Sequence, residues 1–263
     1  MRIESLFRYP VKGLSPERQM RVALEAGGYW PGDRLFAIEN GPSGFDPARP
    51  EHQPKNKFLM LMRHELLARL ATTFDDASGF IIIRHDGGEL RADPATEAGR
   101  ARIAAFFAGY MPGDLRGAPA LLSAPDGFRF TDSRAGFVSL INLASVADIA
   151  RRIGAPVDPL RFRGNIHIDG LPALAELDWP EGTRLETARG VIFEVITRID
   201  RCAATNVDPA TGIRDLNIPR ALMQHYGHVD CGVYLRIIAG GGLGAGETLA
   251  ASAPPRREAL PMA

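Results

Sequence analysis

The run Val191-Ile192-Phe193-Glu194-Val195-Ile196-Thr197-Arg198-Ile199 is rich in β-branched residues and ends at Asp200, directly ahead of RCAATNVDPATG, residues 201–212. It reads as a buried strand, so Cys202 falls where a strand runs out into a loop. Side chains in such places are held rigidly and still reach a cleft. Arg198 and Arg201 stand within a few residues of it, and nearby positive charge favours the thiolate, the form of cysteine that attacks or binds metal. The thiol is therefore either a metal-binding or nucleophilic group or a small buried apolar side chain. The turn Asp208-Pro209-Ala210-Thr211-Gly212 favours the first. Asp caps it, Pro fixes φ, and Gly takes a conformation closed to other residues, so a tight loop folds back beside the sulfur.

A chain of 263 residues, 45% of them hydrophobic, can build one large domain or two small ones with real cores. Its 31 basic and 31 acidic residues balance. No overall field then draws nucleic acid or an anionic membrane, and any anion site has to be local. The two cysteines lie 29 positions apart and outside any C-x-x-C pattern, which gives no disulfide framework and fits a reducing compartment. No apolar run approaches the ~20 residues of a membrane-spanning helix, and Met1-Arg2-Ile3-Glu4 begins like a strand rather than a signal peptide. A cytoplasmic protein without membrane insertion is expected.

Short strands separated by turns dominate the first hundred residues. Residues 2–9, 19–25 and 33–38 carry strand patterns, and Pro10-Val11-Lys12-Gly13-Leu14-Ser15-Pro16 is a bend that pushes Lys12 outward beside a glycine whose N–H is open to an anion. Residues 41–56 form a long loop, either mobile or a rim over a site. Leu61, Glu65, Leu66, Ala68 and Leu70 fall on a helical period, predicting a helix over 59–74. Residues 79–84 and 88–92 make a hairpin across Asp86-Gly87, and a second helix is expected over 95–108. Met111 to Pro119 is the candidate boundary between two modules.

The second module is expected to open with short strands at 120–123 and 127–130. A buried strand follows at 137–141, then a helix from Leu143 to Ile153, stopped by Gly154 and Pro156. Arg161 and Arg163 on an extended chain would point the same way and could grip a phosphate; as an exposed strand edge they would instead lie in water. Residues 218–226 read as a short helix and 233–238 as a strand. The glycine run 240–246 does not match G-x-G-x-x-G in register and leads into a strand at 247–249, so a hairpin turn suffices. His225, His228 and Cys231 are metal-ligand types that with Cys202 spell a zinc set, but they lack the close-spaced ligand pairs of structural zinc, and Cys231 is expected to turn into the core. Residues 253–263 read as a disordered tail.

The RC-x-x-T-x-VDPxTG pattern of Arg201 to Gly212, with the opening YPVKGL of Tyr9 to Leu14, resembles the MOSC-domain family, in the branch with an N-terminal β-barrel region. That branch includes the mitochondrial amidoxime-reducing component and its bacterial relatives. The resemblance implies a mixed, β-rich α+β fold. An N-terminal β-barrel-like module with inserted helices (1–115) would pack on a MOSC β-barrel domain (116–252). It also implies a molybdenum cofactor, Mo-molybdopterin, with Cys202 as the protein's ligand to the metal and Asp208 as the acid of the following loop. The matching pterin and phosphate contacts are Lys12 and Gly13, Arg34, Thr131, Asp132 and Ser133, Arg163 and Asn165, and Arg201. Gly13 stands where amidoxime-reducing relatives have serine and Gly164 where they often have proline, so the grip on the pterin differs. Pyridoxal phosphate binding attaches to the family at large, but no desulfurase domain using it is recognised here. With no four-cysteine extension for an iron–sulfur cluster, electrons would come from a separate donor protein. The expected activity is a cofactor-dependent reduction of N-hydroxylated compounds. The alternatives are persulfide transfer through Cys202 and a non-catalytic cofactor carrier.

Overall fold

The computed structural model describes residues 1–133 and 137–253. Pairing is dominated by one large sheet assembled from both ends of the chain. Its strands are β1 (Arg2–Arg8) and β2 (Glu17–Gln19) from the start, then, from the second half, β9 (Val138–Asn142), β10 (Ile166–Asp169), β11 (Arg184–Thr187), β12 (Ile192–Asp200), β13 (Asp230–Ala239) and β15 (Leu249–Ser252). Their order is β15-β11-β12-β13-β9-β10-β1-β2. Only β9 and β10 run parallel; the other neighbours are antiparallel. The sheet curls until its ends meet: Ile3 N donates to Glu247 O at 2.8 Å and Leu249 N to Met1 O at 2.9 Å. The inward residues, among them Ile3, Leu140, Ile166, Phe193, Val195 and Leu235, form one core. β3 (Arg21–Leu24) covers part of it by pairing with β14 (Gly241–Gly244).

A second unit holds β4 (Phe36–Asn40) paired with β8 (Pro119–Ser123), and the meander β5 (Ala71–Asp75), β6 (Phe80–His85), β7 (Gly88–Ala92). Helix α1 (Glu97–Tyr110) packs on it through Ile103 and Phe107, sharing a core with Val11, Leu59, Leu67 and Ile83. Helices α2 (Leu143–Ile153) and α3 (Ile218–Tyr226) lie together outside β9, burying Val146, Ile149, Leu222 and Cys231. The fold is thus β-rich α+β with three helices among the described residues. None of them is long and apolar enough to cross a membrane.

Several elements depart from the sequence reading. Residues 59–74 hold no α-helix: a 3-10 turn spans Glu65–Arg69 and β5 follows at once. Buried His64 takes the Met60 N–H on its Nδ1 at 3.0 Å, which diverts the backbone before a helix can start, and Thr72-Thr73 favour the pleated form. The strand expected from Asp33 begins only at Phe36, because Arg34 holds a left-handed φ of 49°. The strand expected over 19–25 breaks at Met20, so that β2 and β3 serve different sheets. β8, expected to open the second module, pairs with β4 in the first, and residues 127–130 are loop. The glycine run is not a bare turn, since Gly241–Gly244 is β14. The tail expected at 253–263 lies, beyond Ala253, outside the described residues.

His167 on β10 is 3% exposed, its Nε2 has no partner among the described residues, and its ring centre lies 4.9 Å from that of Phe7. Burial, and then the charge of Arg201, push its imidazole down to about 4. The unfolded chain takes up this proton near pH 6.5 and the folded one does not. The stability from keeping His167 neutral is therefore complete above about pH 6.5 and lost as pH falls toward 4, by about 2–3 kcal/mol. Urea unfolding at pH 7 and pH 4.5 measures this, and His167→Gln is expected to shrink the difference between the two.

Candidate functional site

β12 delivers Asp200 to the end of the large sheet, and the chain then turns through Arg201 and Cys202 into a 3-10 turn, Ala203–Asn206. The Cys202 side chain stays partly exposed, while Cys231, one residue into β13, is fully buried and its thiol is pushed up to about 12 by burial. Facing Cys202 is the bend after β1, which carries Lys12 and Gly13. Between them lies a groove enclosing about 1000 Å³, counting space open to solvent. Ten of the eleven predicted site residues line it: Lys12, Gly13, Arg34, Thr131 to Ser133, Arg163, Asn165, Arg201 and Cys202. Asp208 does not.

The lining carries six basic side chains, adding Lys55 and Arg161 to the predicted four, against the carboxylates Asp33, Asp132 and Asp200. Lys12 is 7% exposed; its Nζ donates to Phe130 O at 3.1 Å and to Asp132 Oδ1. Burial draws the ammonium below its ordinary pKa, with Asp132 opposing. For Asp132, burial acts upward, but the Lys12 charge and hydrogen bond carry the carboxyl below the usual range. Arg34 Nη1 donates to both oxygens of buried Asp33, at 2.6 and 2.5 Å. The guanidinium carbons of Arg34 and Arg163 sit 4.4 and 4.3 Å from the centre of the Tyr9 ring.

Arg163 differs from its neighbours. It too is left-handed, with φ 54°, and its Nη1 donates to Leu14 O at 2.8 Å. Its Nη2 is buried with no partner among the described residues. Burial, reinforced by the nearby Arg34 charge, lowers this guanidinium to about 10. A buried donor left unpaired costs about 1–3 kcal/mol. An anion in the groove would answer that donor and relieve the crowding of cations, so the residues present fit a ligand with a phosphate group.

Arg161 corrects the idea of two arginines side by side. Asp158 and Pro159 start a 3-10 turn, Pro159–Phe162, that sends Arg161 away from Arg163. Its side chain is 1% exposed, with Nη2 donating to Asp208 Oδ2 at 3.1 Å and Asp215 Oδ2 at 2.8 Å, and Nη1 to Asn206 O at 3.1 Å. Asp208 Oδ1 accepts from the N–H groups of Ala210 and Thr211, at 3.0 and 2.8 Å. Burial is the largest single influence on Asp208 and acts upward, but these bonds, with the Thr211 hydroxyl and the Arg161 charge, together hold the carboxyl below its usual range. Asp208 thus braces the Cys202 loop from behind. Two other predicted contacts are also engaged in structure. Arg201 donates Nε to Cys231 O at 2.7 Å and Nη1 to Phe162 O at 2.8 Å, and Gly232, with φ 79°, lets this packing close where a Cβ would meet Leu140 O at 2.3 Å. Asn165 Oδ1 accepts from Ser139 N and Oγ, at 3.1 and 2.9 Å, and Nδ2 donates to Phe7 O at 3.2 Å.

Sequence reasoning missed Lys55, Asp200, Tyr234 and the bracing role of Arg161. The Asp158-Pro159 pair is a helix-start signal that tells against an extended chain at Arg161. Lys55 sits on the long 41–56 loop, whose His52 Nε2 lies 3.2 Å from Asp132 O, so this loop does rim the groove. Arg161→Met would leave two carboxylates and a loop carbonyl without their donor. We expect it to lower unfolding stability in urea by about 2 kcal/mol, discounted for the partial exposure of Asp208 and Asp215, and to speed the reaction of Cys202 with a thiol reagent.

Residues 1–109 match the MOSC N-terminal beta barrel domain and residues 127–250 the MOSC domain. The chain is 28% identical over 254 residues to a molybdenum cofactor sulfurase of Caenorhabditis elegans and 27% identical over 253 residues to that of Caenorhabditis briggsae. Each alignment covers 89% of this chain, which spans about a third, 33%, of the length of these curated relatives. Among solved structures, the YUAD protein from Bacillus subtilis is similar at a TM-score of 0.42, with 12% identity over 94% of this chain and 93% of that one. YiiM from Geobacillus stearothermophilus is similar at 0.35, with 20% identity over 44% of this chain and 53% of that one. With both matches falling in order along the chain, this is a MOSC-domain protein with an N-terminal MOSC β-barrel region.

Proposed function

We propose that this protein is an oxidoreductase that holds a molybdenum cofactor in the basic groove and reduces N-hydroxylated or similar N–O compounds with electrons from a separate donor protein. The observation that carries the reading is the partly exposed thiol of Cys202 in one groove with Lys12, Arg34 and the unpartnered Nη2 of Arg163. When bound, the cofactor supplies a two-electron metal centre able to accept oxygen from an N–O bond. The chain's residues do the rest. Cys202 offers a thiolate, a soft ligand suited to a soft redox-active metal. Arg163 and Arg34 grip the phosphate by paired N–H donors and Lys12 adds a point charge. Thr131 to Ser133 line the same groove, and Arg161 braces the Cys202 loop through Asp208. The reading sets the protein in the cytoplasm, where reducing conditions keep both cysteines as thiols.

The relatives that bear the name molybdenum cofactor sulfurase support a link to this cofactor. They also favour a second reading, in which Cys202 carries a persulfide sulfur for another protein. Metal analysis of the purified protein separates the two. Near-stoichiometric molybdenum, lost in Cys202→Ala and diminished in Arg163→Ala, is expected. Sulfane sulfur released by dithiothreitol from a molybdenum-free protein would sink the first reading in favour of the second. Loaded protein is expected to reduce benzamidoxime with a chemical electron donor, and a loaded protein that turns over no N-hydroxylated compound would be a cofactor carrier instead.

A further inference from the structure

Lys12 and Arg34 both line the groove, and each already holds a carboxylate, Asp132 and Asp33. The two carboxylates are held differently. The Asp33 side chain is 7% exposed and its Oδ1 also accepts from the Tyr9 N–H at 2.7 Å, so it stays with Arg34. The Asp132 side chain is 55% exposed, and among the described residues it bonds to Lys12 Nζ alone. Lys12 is the dependent member of that pair. Its side chain is 8% exposed and has, besides Asp132, one carbonyl, Phe130 O at 3.1 Å. A buried ammonium needs an acceptor at all times, whereas a half-exposed carboxylate can return to water at little cost.

The backbone around Asp132 is tied down on both sides. Thr131 Oγ1 donates to Ser133 O at 2.6 Å, and Asp132 O lies 3.2 Å from Nε2 of His52 on the 41–56 loop. Release of the carboxylate therefore needs only a side-chain rotation. The same loop carries Lys55, which lines the groove and has no ion pair among the described residues. After burial and Lys12, the charge felt most at the Asp132 carboxyl is that of Lys55. A phosphate group brings close to two negative charges and three acceptor oxygens. It can answer Lys12 better than one carboxylate does, and the bare Nη2 of Arg163 in the same groove as well. We propose that Asp132 is a counterion switch: it holds Lys12 until a phosphate group displaces it toward Lys55, and this new pairing draws the 41–56 loop over the ligand.

The switch rests on the proposed reading of the groove as the seat of a phosphate-bearing ligand and adds how that seat is filled. Phenyl phosphate serves as the probe, so the test needs neither molybdenum nor turnover. Its binding to the purified, cofactor-free protein is measured by calorimetry, and loop ordering by hydrogen exchange over residues 41–56. In the native protein phenyl phosphate is expected to slow exchange in the loop. Asp132→Asn leaves Lys12 an uncharged acceptor of the same shape. It is expected to tighten binding about tenfold, the margin of one charge-assisted contact that no longer has to be displaced, and to abolish the slowing. Asp132→Ser gives the same pair of effects, and Asp132→Glu restores the native pattern. In a Lys12→Met background the Asp132→Asn change gains less than about twofold, because the two residues act as one pair. Unchanged or weaker binding in Asp132→Asn and Asp132→Ser, an equal gain in the Lys12→Met background, or loop protection that survives Asp132→Asn overturns the switch. Protein that shows the switch but carries no molybdenum from a host that makes the cofactor keeps the switch and sinks the redox reading, whereas molybdenum-loaded protein without it does the reverse.

Discussion

Positive charges held away from water need acceptors within reach, and this requirement orders the groove more than any packing contact does. Lys12, Arg161 and Arg201 find theirs on segments far apart in sequence: Asp132, the pair Asp208 and Asp215, and the carbonyls of Phe162 and Cys231, while Arg34 pairs with its neighbour Asp33 and reaches Arg163 O at 3.4 Å. The long-range pairings double as ties between loops. The bend after β1 is fixed to the segment after β8, and the turn before β10 to the loop after β12. Arg163 lines the groove with a whole terminal nitrogen, Nη2, unanswered among the described residues, and a ligand there would answer it.

The ties work because the two units are interleaved rather than strung in series. β1 and β2 belong to the large sheet although they begin the chain, and Val11 bridges to Phe36 as the chain leaves that sheet for the smaller unit. A groove at such a seam inherits one wall from each core. Its Cys202 side rests on the long antiparallel pair β12 and β13, and its Lys12 side on the packing of Leu14, Leu59 and Leu67. Neither wall can shift without disturbing a core.

Elements whose signals are local were legible in the sequence. Helix α2 runs from Leu143 to Ile153 as expected, because Asn142 accepts from the Ala144 N–H at one end and Gly154 takes a left-handed φ of 75° at the other. The Asp86-Gly87 hairpin and the strand ending at Asp200 are of the same kind. Residues 59–74 were not legible, since a helical spacing of leucines there serves a 3-10 turn and a strand whose partners are remote. The gathering of Lys12, Arg34, Arg163 and Cys202 came from family resemblance and not from periodicity. Asp200 and Tyr234 carried no signal at all, because cross-strand register alone brings them to the groove.

Arg34 and Arg163 both stand on left-handed backbone, where an ordinary L-residue costs on the order of 1 kcal/mol and glycine sits without penalty. Selection for foldedness alone would favour glycine in place of Arg163, whereas Arg34 is also kept by buried Asp33, which it answers. Retention of Arg163 in orthologues would therefore report continued use of its guanidinium group over Tyr9. A lineage that had abandoned the groove's ligand would show it first as glycine or asparagine in place of Arg163, before any change reached the barrel cores.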